Sequence, residues 1–257
     1  MKKTLVGLLV VCLTNGLFAQ DTVEKTEPGA ISTDRPVQSE TAFTVPKNHL
    51  QFEMGLNYEQ GVDHNFDLLT GPNLLVKYGL TNRLEVRMTN NYVKLETEGL
   101  NQEYEGWDAP LFGFKYKIIG ADGGKTNLVA SLSSKVEAWG AKVLRPSTVN
   151  LLGRVTLGQS ITDSWSVTGG LEYGYYDGEE DIVFYVLQTG YSFSSGLTAI
   201  IEYYGFSSDN ELHSALNGAL VYLINDKHQV DLSGGGGFAG NFYSHYLSVG
   251  YSFRLGL

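Results

Sequence analysis

Cysteine is nearly absent: the 257 residues hold one, Cys12, inside a short N-terminal apolar run. If that run is removed, disulfides, thiolate nucleophiles and cysteine-based metal sites drop out together. Long hydrophobic runs are also missing. No stretch of ~18 or more apolar residues occurs, so no membrane-spanning helix is encoded. Basic residues are few, 18 Lys and Arg against 28 Asp and Glu, for a formal net charge of −10. That balance argues against nucleic acid and anionic membrane surfaces as partners.

The N-terminus supplies the first positive feature. Lys2 and Lys3 precede an apolar run from Leu5 to Leu13, and Phe18-Ala19-Gln20 stands before Asp21. A basic start, an apolar core and a small-residue end read as a secretory signal peptide over residues 1–20. Val11 precedes Cys12 where a lipoprotein signal needs a small residue, which argues against lipidation. Cleavage takes the mature chain to 16 basic and 28 acidic residues, a charge of −12. Hydrophobic content of 42% is low for a helical membrane protein but suits a barrel, in which only alternate residues meet lipid. Sixteen Tyr and 31 Gly fit interfacial belts and tight turns.

From about Leu50 to the last residue, side chains alternate with a period of two. At the end, Leu247, Val249, Tyr251, Phe253, Leu255 and Leu257 interleave with Ser248, Gly250, Ser252, Arg254 and Gly256. A β-strand sends such neighbours to opposite faces. The rhythm returns about every 15 to 20 residues, broken by brief turns near 79–83, 120–125, 160–164, 194–196 and 225–228. Longer acidic segments near 60–66, 95–107, 138–147, 177–181, 206–211 and 238–242 alternate with them. Short turns at one rim and longer loops at the other predict an all-β fold: a closed antiparallel transmembrane β-barrel of about twelve strands. A soluble β-sandwich also alternates. Against it stand the aromatics near strand ends of the apolar face, among them Tyr58, Tyr78, Trp107, Trp165 and Tyr191, and the heavy charge on the polar face. The expected organisation is a signal peptide at 1–20, a periplasmic N-terminal segment at 21–47 and an outer-membrane barrel at 48–257.

Several blocks carry a family resemblance by their order. They are Ser32-Thr33-Asp34-Arg35-Pro36, Val45-Pro46-Lys47, Gln51-Phe52-Glu53-Met54-Gly55, Pro72 through Leu80 and Arg83-Leu84-Glu85-Val86-Arg87. Further on come Gly113 through Lys117, Glu202-Tyr203, Gln229 through Ser233 and Gly250-Tyr251-Ser252-Phe253-Arg254. Together they resemble the outer-membrane family named for a MetA pathway of phenol degradation. The resemblance implies an outer-membrane barrel that passes or binds small organic molecules, and contact with the barrel assembly machinery during biogenesis. Resemblance of this kind supplies analogy, not mechanism.

The inward face is expected to carry Glu53, Lys77, Glu85, Arg87, Lys115, Lys117, Lys135, Glu137, Arg154, Glu172, Glu202, Asp231 and Arg254. Charges in a narrow interior must pair or stay wet. Two readings stand open: a conduit that selects solutes by charge, and a salt-bridged plug of side chains that keeps a structural or surface-binding barrel shut. Asp34 and Arg35, ahead of the barrel, are expected to fold inward, cap the periplasmic mouth and pair with lumen charges. Gly235 through Gly240 matches the letters of a dinucleotide fingerprint, but a strand follows where that motif needs a helix. His49, His64, His213, His228 and His245 lack metal-ligand spacing, so no metal or cofactor is expected. Ser244 and His245 invite comparison with a barrel lipase. Adjacent strand residues face opposite ways and cannot pair, so no enzymatic activity is expected. The expected partners are outer-membrane lipid, a small-molecule solute and the assembly machinery.

Overall fold

The computed structural model describes residues 28–61, 65–97, 102–120, 124–145, 150–176, 180–208, 211–240 and 244–257. The expected signal peptide at 1–20 lies outside the described residues. The wall begins with β1 (His49–Gly61), β2 (Phe66–Gly79), β3 (Leu84–Thr97), β4 (Gln102–Trp107), β5 (Leu111–Ile119) and β6 (Thr126–Lys135). It continues with β7 (Asn150–Ser160), β8 (Trp165–Tyr176), β9 (Ile182–Ser192) and β10 (Leu197–Ser208). The last strands are β11 (Glu211–Asn225), β12 (His228–Ala239) and β13 (Ser244–Gly256). Two 3-10 turns, Glu137–Trp139 and Lys142–Leu144, follow β6, and no α-helix occurs among the described residues.

Every pairing between these strands is antiparallel, and the sheet closes because β1 pairs with both β2 and β13. β3 carries two partners, β5 beside residues 84–89 and β4 beside residues 92–97. β4 and β5 thus share one place in the wall, so the barrel has twelve staves. Of residues 95–107, read from the sequence as a loop, 95–97 and 102–107 instead pair as the upper part of β3 and β4 and continue the wall. Alternating Lys94, Glu96 and Glu105 suit its wet upper end and conceal its strand character.

Which side each residue takes follows from parity. Leu56, Val155, Leu171, Leu187, Ile201, Leu220 and Leu247 are exposed on the outer surface, where only hydrocarbon can accept them. Trp107, Trp165, Tyr175, Tyr191 and Tyr251 are also exposed, near strand ends. Between them in sequence, Gln51, Glu53, Lys77, Glu85, Lys115, Glu202 and Asp231 are buried, so the charged face is the inside. A bulge at Gly71–Pro72 shifts the register between Thr70 and Asn73 and exchanges the faces of β2 above it. Each strand that turns at 80–83, 161–164, 193–196 or 226–227 does so at one rim, where the N-terminal segment also enters. Short turns mark that rim as periplasmic.

Candidate functional site in the barrel lumen

Residues 29–48 fold up into the barrel rather than away from it. The segment enters beside β12 and β13, where Arg254 donates to the Gly29 carbonyl and the Ile31 amide donates to the Asp226 carbonyl. It crosses the lumen near Glu53, the fifth of thirteen residues in β1, and reaches β10. It returns beside β3 and the turn after β2, where Thr44 Oγ1 donates to the Asn82 carbonyl and the Asn48 amide to the Gly79 carbonyl. Ser32 and Thr41 hydroxyls, 2.6 Å apart, tie its two limbs together.

Three wall carboxylates hold the segment by its backbone. Glu53 Oε2 accepts the amides of Asp34 at 2.9 Å and Arg35 at 3.0 Å. Glu202 accepts those of Gln38 and Ser39, both at 2.8 Å, and that of Val45 goes to Glu85 at 2.9 Å. A segment of this shape has no secondary-structure ladder, so its amides would otherwise be buried without acceptors. Hydrogen bonds to charged groups contribute about 1.5–3 kcal/mol each.

The side chains add a second grip. Asp34 lies against Lys115 at 3.2 Å, Lys77 at 3.5 Å and Arg87, while Glu40 lies against Arg87 at 2.9 Å and Lys115 at 3.3 Å. Burial alone pushes the Asp34 carboxyl up. Lys115, Lys77 and Arg87, with the Thr41 amide, outweigh it and hold the group well below the usual carboxylate range. The same contest at Glu40, burial against Arg87 and Lys115, ends at about 2. Arg35 points to the opposite wall. Its Nη2 donates to Asp231 at 3.1 Å, to Ser248 at 2.9 Å and to the Val249 carbonyl. Its guanidinium lies flat over Gly55 and Gly250, which pair across β1 and β13, and a Cβ at either position would overlap it.

The other sequence-derived positions are distributed as follows. Arg154 and Glu172 pair at 2.9 Å on β7 and β8, and Arg154 also donates to the Gln38 carbonyl and covers the Phe184 ring at 5.1 Å. Lys117 is half-buried near the periplasmic end of β5. Lys135 pairs with Asp108 at 2.9 Å at the upper end of β6. Glu137 sits in the 3-10 turn beyond β6, not on a strand, because alternation stops at Lys135; its side chain lies outside what the structure describes. Ser244 is buried and donates to Glu59 at 2.5 Å, while His245 is exposed on the outer face. The Gly-rich run forms the end of β12 and a turn at Gly240, φ +71°.

Sequence reasoning missed an apolar stretch of interior. Phe184, Val186, Tyr204 and Ala215 pack together inside the extracellular half, with Phe206 stacked on His213 beside them. The signal that places Tyr204 and Phe206 inside is their shared parity with Glu202.

A closed antiparallel wall, apolar outside and charged inside, with one mouth occupied by its own N-terminal segment, defines a transmembrane β-barrel of the outer-membrane type. The chain belongs to the family described as "Putative MetA-pathway of phenol degradation", which matches residues 33–255 and so includes all but the first four residues of the docked segment. That bears out the resemblance carried by the ordered sequence blocks. No curated protein matches the chain in sequence. Among solved structures, an outer membrane channel from Pseudomonas putida F1 superposes with a TM-score of 0.71 at 11% identity, over 86% of this chain and 100% of that one. The KdgM porin in complex with disordered oligogalacturonate gives 0.57 at 11% identity, over 79% and 98%. The NanC porin gives 0.57 at 13%, over 79% and 100%. At such identities the likeness is one of fold.

Proposed function

We propose that this protein is an outer-membrane channel for small organic solutes, closed in its periplasmic half by residues 29–48 and opened when that segment shifts. The observation that carries the reading is the manner of docking. The segment is held chiefly by hydrogen bonds and ion pairs to the wall, with the small or medium side chains of Ile31, Ala42 and Val45 as its buried apolar contacts, and the charged and polar groups exchange readily for water when the segment leaves. A barrel built only for rigidity would be served better by large apolar side chains packed across its axis. Displacement also leaves a polar conduit. Lys77, Arg87 and Lys115 on one side would then face Glu202 and Asp231 on the other, a field across the path that orients polar solutes. The outer-membrane channel and porins of the same fold make passage of solutes a natural use of this wall. Neither a nucleophile–base pair nor any other catalytic arrangement enters the proposal.

The test uses the absence of cysteine beyond Cys12. A Ser39→Cys, Gln188→Cys pair sits where the native side chains touch, and a short bis-methanethiosulfonate linker spans the length the Gln188 side chain gives up, tying the segment to β9. Planar-bilayer conductance should be lost on cross-linking and return on reduction. Conductance that ignores the lock, or silence in the reduced pair, the native protein and a Glu53→Gln variant alike, ends the channel reading.

A further inference from the structure

The docked segment leans towards β1–β3, β5, β12 and β13 and leaves space on the other side. Against the lower ends of β7–β9 lies a cavity of about 190 Å³, room for about six water molecules. Ser160, Ser166, Thr168 and Gln188 line its wall side, and Ala42 and Phe43 its segment side. Among the described residues, the Ser160, Ser166 and Thr168 hydroxyls have no hydrogen-bond partner. Gln188 spends its side-chain oxygen on Ser39, which leaves its nitrogen free. Phe43 is 45% exposed although it sits on a segment folded into the barrel. Two charged groups border the space, and the charge of each is already paired: Arg35 through Nη2 with Asp231, though its Nε has no hydrogen-bond partner, and Glu40 with Arg87 and Lys115.

We propose that this cavity binds an uncharged, ring-shaped polyol of monosaccharide size. Several unpaired donors and acceptors around one space call for a ligand with several hydroxyls on its rim. The exposed Phe43 ring calls for an apolar face, and a sugar ring presents C–H groups on its faces and hydroxyls at its edge. A phenol carries one hydroxyl and would leave most of the wall groups without a ligand partner, forgoing the hydrogen bonds a polyol can make. A sugar acid would find no free counter-charge. Because Phe43 belongs to the segment and Ser166 to the wall, the occupant touches both, and its binding is coupled to docking of the segment. That coupling rests on the channel reading; binding itself does not.

The experiment is titration of D-glucose into the folded barrel in detergent micelles, followed by saturation-transfer NMR, with phenol and glucuronate as competitors. Glucose should bind saturably, and neither competitor should displace it. Ser166→Leu, which fills the space, should weaken binding roughly tenfold or more, and Thr168→Val, which removes one hydroxyl at similar volume, by several-fold. Heat-dependent gel mobility verifies that each variant is folded. A glucose signal that does not saturate, that is unchanged in both variants or that phenol displaces overturns the proposal. Glucose binding with silent bilayers would sink the channel and keep the site; conductance without glucose binding would do the reverse.

Discussion

The two sides of the lumen meet the same segment with different chemistry. On β1–β3, β5, β12 and β13 the wall offers Glu53, Lys77, Glu85, Arg87, Lys115 and Asp231, and every one engages residues 34–45 or another member of the group. On the lower halves of β6–β9 it offers Asn127, Thr156, Gly158, Ser160, Ser166, Thr168, Gln188 and Gly190, without a formal charge among them. The first side fixes where the segment sits, because buried charges tolerate few arrangements. The second lets it sit loosely and leaves a cavity, because small hydroxyl side chains neither reach nor repel. Glu202 of β10 and Arg154 of β7 continue the grip beyond that arc through Gln38 and Ser39, so the slack is confined to the lower ends of β6–β9.

The largest expected effect comes from breaking the charged side. Glu53→Ala removes the acceptor of two segment amides and the partner of Lys77, and should cost about 3–5 kcal/mol of docking. Thiol labelling of a lone Ser39→Cys should quicken accordingly. Gln188→Ala, on the hydroxyl side, should cost about 1 kcal/mol in the same assay, read with the lone cysteine at Ser32→Cys. Equal effects would erase the distinction between the walls.

Next come two adjacent substitutions in β13. Val249→Arg faces lipid and should lower barrel stability by roughly 2–4 kcal/mol in folding titrations. Ser248→Arg should leave barrel folding nearly intact while evicting Arg35 and raising conductance. A stability loss from Ser248→Arg as large as that from Val249→Arg would mean the faces are reversed.

Acid provides a third lever with a defined sign. Glu40 and Asp34 hold carboxyls depressed by docking, so their contribution is complete above the ordinary carboxylate range and is lost as pH falls below it, towards about 2 for Glu40 and well below its ordinary range for Asp34. Conductance should rise through that window and not on the alkaline side of neutrality; a flat acid profile would exclude these two carboxyls as holders of the segment. The smallest effect is expected on the hydroxyl side. Thr156 Oγ1 is buried without a hydrogen-bond partner, so Thr156→Val should be neutral or stabilising by up to about 1 kcal/mol in thermal unfolding. A clear destabilisation would show that this hydroxyl has a role in holding the wall.

Legibility varied with the kind of signal. The side taken by Val249 or Ser248 could be read directly, because strand parity is a local property and lipid on one face punishes every exception. Twelve staves were legible from the turns, since each brief turn flanks two alternating runs. The upper β3–β4 hairpin was not, because above the hydrocarbon both faces are wet and alternation disappears; Glu137 was assigned to the lumen for the same lack of pattern. The apolar interior around Tyr204 went unread because an aromatic suits either face, and only its parity with Glu202 reveals the inside.

By itself, then, the sequence determined the strands, their faces and the closed sheet, since these follow from a two-residue period and a hydrocarbon surroundings. It also marked Asp34 and Arg35 as charges in need of partners. Only the tertiary structure chose those partners: Arg35 meets Asp231 across 196 positions of chain, and Glu202 meets the amides of Gln38 and Ser39. Such pairings depend on how a closed wall folds its far strands back against its beginning, and no local pattern carries that distance.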